Sequence, residues 1–309
     1  MAARDRLRRL PLAAAACLLL AACNPAGAGR GTAPGCDPIR LPRPAAGGPP
    51  LALLHSMAAN ALEFSAGSPG SQPTVLTQVR ALGTPWLVRG RLIWTALASG
   101  GASEIRTATD GGCPRRLAAG AVELVAPTGT RLTALGRGGR QLIDVPGGRV
   151  LADLPVGSYA FSRDGRLVSS DVRGVSLRAD DGSQRTVVGG AYTILGTLGS
   201  SALVVGTLRA VYSLDLDSGA LVELFDRPAL GAEGSPDGAW LAVSEATQTT
   251  LVHLPDRRPT QLSAPGPVTR LSWSPDSAWL AVSTLLGGVV IHPADGRRLD
   301  LGSVDVAGW

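Results

Sequence analysis

The side chains most able to do chemistry in this chain are few. His55, His253 and His292 are its three histidines, and none has companions at the spacing of a metal site. His253 (Leu251-Val252-His253-Leu254-Pro255) and His292 (Val290-Ile291-His292-Pro293) stand at matching places in two similar segments, just before a proline-marked turn. Matching placement points to a role in a repeat. The carboxylates Asp180-Asp181 and Asp215 with Asp217 have the residue types for calcium or acid/base work. Each pair lies beside a turn glycine, Gly182 or Gly219, where Asp is a common turn former. No Gly-x-Ser-x-Gly nucleophile elbow occurs. The stretch Gly136-Arg137-Gly138-Gly139-Arg140 lacks the Lys-Ser/Thr of a phosphate cradle, and reads as a hairpin loop. Its arginines, with Arg115, Arg116, Arg131 and Arg149, form either a basic patch or a solvated loop face. A catalytic constellation, a metal site and a cofactor site are therefore not expected. Binding remains, and exposed tryptophan is the residue type that anchors it. Trp240, Trp273, Trp279 and Trp309 fall at repeat positions and read as core; Trp86 and Trp94 are the candidates for a binding surface.

The cysteines carry the clearest chemical signal. Arg4, Arg6, Arg8 and Arg9 precede an apolar run from Leu10 to Ala22, which ends at Cys23. That order of basic, apolar and small residues is a signal peptide over 1–22. The run is shorter than the roughly 20 apolar residues of a membrane span. Leu20-Ala21-Ala22-Cys23 resembles the lipobox of bacterial lipoproteins. The resemblance implies cleavage between Ala22 and Cys23, acylation of Cys23, and attachment to the extracytoplasmic side of a cell or outer membrane. Two or three acyl chains give a stable anchor where one gives a marginal one. Cys17 is a poorer match, with Ala14 where leucine is expected. Cys36 and Cys113 remain, and in an exported chain they are expected to form a disulfide; two free thiols are the alternative.

Composition narrows the partners. The formal charge is +5, from 29 basic and 24 acidic residues. Residues 1–22 hold four Arg and one Asp, so the remainder carries 25 against 23, or +2. A nearly neutral body without an arginine run interleaved with aromatics lacks the footprint of a nucleic-acid binder. No lysine occurs, a pattern that a GC-rich genome explains more simply than bidentate anion recognition. Residues 23–50 are rich in Gly, Pro and Ala without periodicity, and read as an extended spacer.

From Leu51 onward, short β-branched runs alternate with Asp-Gly turns at 110, 164, 181, 237 and 295, the mark of an all-β domain over 51–309. The segment Gly234-Ser235-Pro236-Asp237-Gly238-Ala239-Trp240-Leu241-Ala242-Val243-Ser244 recurs 39 residues later as Trp273-Ser274-Pro275-Asp276-Ser277-Ala278-Trp279-Leu280-Ala281-Val282-Ser283. A weaker copy, Phe161-Ser162-Arg163-Asp164-Gly165-Arg166-Leu167-Val168, has Arg163 in place of proline. These segments resemble the repeats of TolB-type, WD40-like β-propellers. Proline presets the turn, Asp bonds back to the backbone, and Gly or Ser takes the tight corner. Second strands starting near Leu51, Leu92, Leu132, Leu167, Leu203, Leu241 and Leu280 predict seven four-stranded blades of about 40 residues each. Six is the alternative, because the second and third units lack the Ser-Pro-Asp turn. The first unit has no inner strand before Leu51, whereas Val304-Asp305-Val306-Ala307-Gly308-Trp309 is surplus at the end. It is expected to close the first blade, with Trp309 where Trp273 stands.

The resemblance implies a membrane-anchored, non-catalytic platform for an envelope protein or for a small ligand in the central channel. A propeller hydrolase, lyase or lactonase would instead need His, Asp or Glu side chains converging at the channel mouth, and a sugar- or peptide-sensing module an aromatic lining from Trp86, Trp94 and Tyr159.

Overall fold

The computed structural model describes residues 36–309, apart from 45, 57–61, 247, 265 and 266. The signal peptide, Ala22 and Cys23 lie outside the described residues. Seven antiparallel four-stranded sheets form the blades of a ring. The second strands are Ala52–Ser56, Arg91–Leu97, Arg131–Gly136, Leu167–Asp171, Ala202–Gly206, Trp240–Ser244 and Leu280–Thr284, within a residue of the repeat register. The inner strands of blades 2 to 7 are Trp86–Val88, Ala121–Val125, Ser158–Phe161, Thr193–Leu198, Gly231–Gly234 and Val268–Trp273. Blade 1 takes its inner strand from the C-terminal end: Val304–Gly308 pairs with Ala52–Ser56, setting Leu54 opposite Val306 and His55 opposite Asp305.

One apolar cluster fills each gap between neighbouring blades. The alternation along each strand sends one set of side chains forward and the other backward, so every sheet is buried on both faces. Trp273 and Trp309 repeat one device. The Trp273 indole N–H donates to the Glu233 carbonyl at 2.9 Å, and that of Trp309 to the Ser272 carbonyl at 3.1 Å.

The Ser-Pro-Asp turn has a definite chemistry. Ser274 Oγ donates to Asp276 at 2.5 Å and accepts from the Trp279 N–H at 2.9 Å. Ser235 does the same with Asp237 and the Trp240 N–H. Ser277 stands at φ 62, where Gly238 has φ 76, and its hydroxyl accepts the Asp237 N–H of the neighbouring blade at 2.9 Å.

The N-terminal approach departs from the expected free spacer. Its described part packs on blade 2: Ile39 is fully buried with Trp94. The Ile39 N–H donates to the Gly112 carbonyl and the Gly111 N–H donates to that of Ile39. Cys36 is bonded to Cys113 across 77 residues. These residues form no strand; the buried Ile39, its backbone bonds and the disulfide hold them against blade 2. All seven blades, their closure and this disulfide lie within residues 36–309.

Candidate functional site: a charged channel mouth

The ring has two faces that carry different connections. Inner strands run from an upper face to a lower one. The upper face therefore carries the crossings between blades and the turns from second to third strands; the lower face carries the other hairpin turns. Bulges interrupt four inner strands at Glu123, Leu195, Thr269 and Ala307. A bulge re-aims the side chains that follow it.

Four charged side chains and the His55 imidazole gather about the inner strands. Arg270, on the inner strand of blade 7, donates from Nη1 to the Ala307 carbonyl of blade 1 at 2.5 Å. Its guanidinium lies 6.0 Å from the ring of Trp86, within cation–π range. Glu233, on the inner strand of blade 6, accepts the Thr197 hydroxyl at 2.6 Å and the Thr197 N–H at 3.1 Å. Arg163 reaches it from the lower turn of blade 4, with Nη2 3.1 Å from Glu233 and 2.5 Å from the Gly234 carbonyl. At the upper end, His55 Nδ1 is 3.7 Å from Asp305, and the imidazole stacks on Phe64 at 5.1 Å.

Burial shifts four of these groups against their charged forms. Loss of water raises the Glu233 and Asp305 carboxyls above the ordinary range and lowers the Arg163 and Arg270 guanidiniums; the opposite charges nearby offset part of each shift. Two openings meet at Arg270. One, of about 240 Å³, is bordered by Glu233, Ser244 and Thr269; the other, of about 180 Å³, by His55, Thr84 and Asp305. Among the described residues no group of three His, Cys, Asp or Glu is placed to hold a metal ion.

Of the two candidate tryptophans the structure keeps one at the channel. Trp86 is half-buried beside Arg270. Trp94 is 1% exposed in the cluster between blades 1 and 2, so it cannot form a binding surface; it is on a second strand that is covered on both sides. His253 and His292 are turn braces. Their Nδ1 atoms lie 2.8 and 2.7 Å from Asp256 and Asp295, and their rings pack on Trp240 and Trp279. Asp181 caps its own turn through the Ser183 N–H at 2.8 Å, and Asp215 accepts the Ser218 N–H at 2.7 Å. Arg140 is drawn to Glu123, with Nε at 2.5 Å, and Tyr159 lies under its guanidinium at 5.1 Å. Arg131 pairs with Asp180 and Arg116 with Glu104, so the arginines of that region are divided among separate partners.

Sequence reasoning missed Arg163, Glu233, Arg270 and Asp305. A signal for Arg163 was present, since it replaces the proline of the repeat. The other three are charged residues inside inner strands, where the fold turns them to the channel.

No family model matches the chain, and no curated protein matches it in sequence. Solved structures match in fold. An acylaminoacyl peptidase from Pyrococcus horikoshii superposes with a TM-score of 0.58 at 10% identity, over 77% of this chain and 47% of that one. TolB from Acinetobacter baumannii gives 0.46 at 13% identity, over 84% of this chain and 83% of that one. An oligogalacturonate lyase in complex with manganese gives 0.47 at 10% identity, over 69% and 74%. At these identities the likeness is one of fold, and fold alone does not carry activity.

Proposed function

We propose that this chain is an exported lipoprotein, cut between Ala22 and Cys23 and acylated on Cys23, whose propeller is a non-catalytic platform for an envelope protein or a ligand seated at the upper channel mouth. Leu20-Ala21-Ala22-Cys23 supports the anchor. The binding reading rests on Arg270. This guanidinium borders both openings and faces an aromatic ring, with the carboxyl groups of Asp305 and Glu233 close by. That arrangement suits recognition of a polar, charge-balanced group such as a peptide segment.

Mass spectrometry of the protein from its own membranes is expected to find an acylated N-terminal peptide beginning at Cys23, absent in Cys23→Ala. An unmodified chain beginning elsewhere refutes the anchor. A photo-crosslinking residue at Thr84 is expected to capture the partner in intact cells and to lose it on Arg270→Ala. Equal capture from Ser183, on the lower face, refutes the mouth as the site. The second reading, a hydrolase, lyase or lactonase, has the His55–Asp305 pair in its favour, an imidazole and a carboxyl meeting at the mouth. Turnover of an ester, lactone or uronide that disappears in His55→Gln would establish it.

A further inference from the structure

Among the described residues, the Arg270 guanidinium has no carboxylate oxygen within ion-pair distance; its bond to the protein runs from Nη1 to the Ala307 carbonyl at 2.5 Å. That carbonyl is free because Ala307 is the bulged residue of its strand. Leu53 pairs with Gly308 and Leu54 with Val306, which leaves Ala307 out of the ladder. Nε and Nη2 of Arg270 therefore keep their donors, and neither is shut away from the openings. A guanidinium in this state matches a carboxylate in two parallel bonds.

Asp305 is its counterpart. It borders the same opening of about 180 Å³. Its Oδ1 is buried without a hydrogen-bond partner, and His55 Nδ1, at 3.7 Å, is beyond hydrogen-bond reach. The other two charges of the mouth already match each other, since Glu233 is held by Arg163 at 3.1 Å and by the Thr197 hydroxyl. One guanidinium and one carboxylate are thus left over beside one opening. Burial disfavours the charged form of each, and opposite charges on a ligand favour both again.

The adjoining opening, of about 240 Å³, has an apolar wall of Leu195, Leu230, Ala232, Val268 and Leu271. Leu230 is 75% exposed there, on a rim fixed by the bond from its N–H to the Ser244 carbonyl at 2.8 Å. Three of the four bulged inner-strand residues, Leu195, Thr269 and Ala307, border the two openings. Neither opening reaches the roughly 300 Å³ at which pockets for drug-sized ligands begin. Each takes a fragment, one a charged head and the other an aliphatic tail.

We infer that the mouth binds a free α-amino acid with an aliphatic side chain, its carboxylate on Arg270, its ammonium on Asp305 and its side chain along Leu230 and Val268. The inference rests on the upper mouth being a ligand site, and it names the ligand. A simple anion would gain Arg270 but meet the charge of Asp305, and a simple amine the reverse. A zwitterion satisfies both and leaves the net charge of the mouth unchanged. The end of a peptide chain carries one of the two charges and fills half of the pair.

The test is calorimetric titration of residues 24–309, produced with the disulfide; the ring, its closure and the disulfide lie wholly within that chain. Leucine and valine are expected to bind. N-acetyl-leucine keeps the carboxylate alone and leucinamide the ammonium alone; each should bind at least about tenfold more weakly than leucine, the scale of one lost bond to a charged group. Glycine, without a side chain to bury, should also lose at least about tenfold. Arg270→Gln and Asp305→Asn should each remove leucine binding, with thermal melts showing that the ring is intact. Should either variant fail to fold, the comparison of ligands on the unaltered chain decides alone. Binding by neither leucine nor valine overturns the inference. So does N-acetyl-leucine or leucinamide binding as tightly as leucine, which would make the mouth a dock for a peptide end, and so does leucine binding unchanged in a folded Arg270→Gln. If leucine fails to bind while the Thr84 crosslink still captures a partner, the wider reading of the mouth stands without this ligand. If leucine binds through Arg270 and no protein is captured, the protein partner alone is refuted.

Discussion

At the scale of single residues, burial of charge is the unusual feature. Glu233 is held by Thr197 and Arg163 in the channel, and removal from water raises its carboxyl above the ordinary value of 4.5, with Arg163 offsetting part of the rise. The folded chain therefore holds this proton more tightly than the unfolded chain does. Its contribution to stability is complete below the ordinary carboxylate range and declines as pH rises through the raised folded value. Asp305 is raised for the same reason and acts in the same direction. Glu233→Gln should accordingly flatten the fall of the melting temperature with rising pH between about pH 4 and neutrality. It should also lower stability by up to about 3 kcal/mol, because Arg163 loses the charge that compensates its burial. Thermal melts of the two proteins across that range decide the matter; parallel profiles would show that Glu233 does not titrate there. Asp256 and Asp295 move the opposite way: burial raises Asp256, but the bonds from His253 and the Arg258 N–H with the charges nearby together outweigh it, and Asp295 is lowered first by the Arg297 N–H. Their contributions are present at neutral pH and fade only as acid protonates them.

At the scale of elements, the inner strands of blades 5 and 6 come unusually close. A Cβ at Gly196 would lie 2.2 Å from the Ala232 carbonyl oxygen and 2.0 Å from Glu233 Oε2. Glycine is required here by the backbone of the next blade as much as by the carboxylate. Gly196→Ala must push the two strands apart or displace Glu233, and should cost about 2 kcal/mol in chemical denaturation. Gly231→Ala, on the next inner strand, meets nothing within 4 Å and should cost far less. Equal losses at both positions would mean that the approach of the strands is unimportant. The strand rhythm itself was legible because the bonds that shape each Ser-Pro-Asp turn are local: Ser274, Asp276 and the Trp279 N–H lie within six residues. Local chemistry leaves a local signature. Arg270 and Ala307 are 37 residues apart, and Arg163 and Glu233 are 70 apart. Their meeting depends on how many blades separate them and on which way each inner strand faces, which no short window contains. Trp94 failed for a related reason: an aromatic residue near a turn looks available until the neighbouring blade, and Ile39 of the N-terminal segment, cover it.

At the scale of the whole molecule, ring closure links the two observations that matter most for function. The inner strand of blade 1 is supplied by Val304–Gly308, and that strand carries Asp305 and the Ala307 carbonyl that holds Arg270. The last residues of the chain therefore complete both the ring and the mouth. Removing residues 304–309 would uncover the edge of Ala52–Ser56, open the cluster around Ala52, Leu54 and Trp279, and leave Arg270 without its acceptor. Val306 and Ala307 are 1% and 5% exposed and Trp309 is half-buried, so lost burial alone comes to about 4 kcal/mol. For a domain of this size that corresponds to a fall of about 10 °C in melting temperature. Arg270→Ala in the intact chain separates the two consequences. It should leave the ring closed and most of the melting temperature in place, while removing the guanidinium from the mouth. A truncated chain that melts like the full one would mean that blade 1 does not depend on its borrowed strand. A truncated chain that melts early but keeps its mouth crosslink would place the binding determinants away from Arg270 and Asp305.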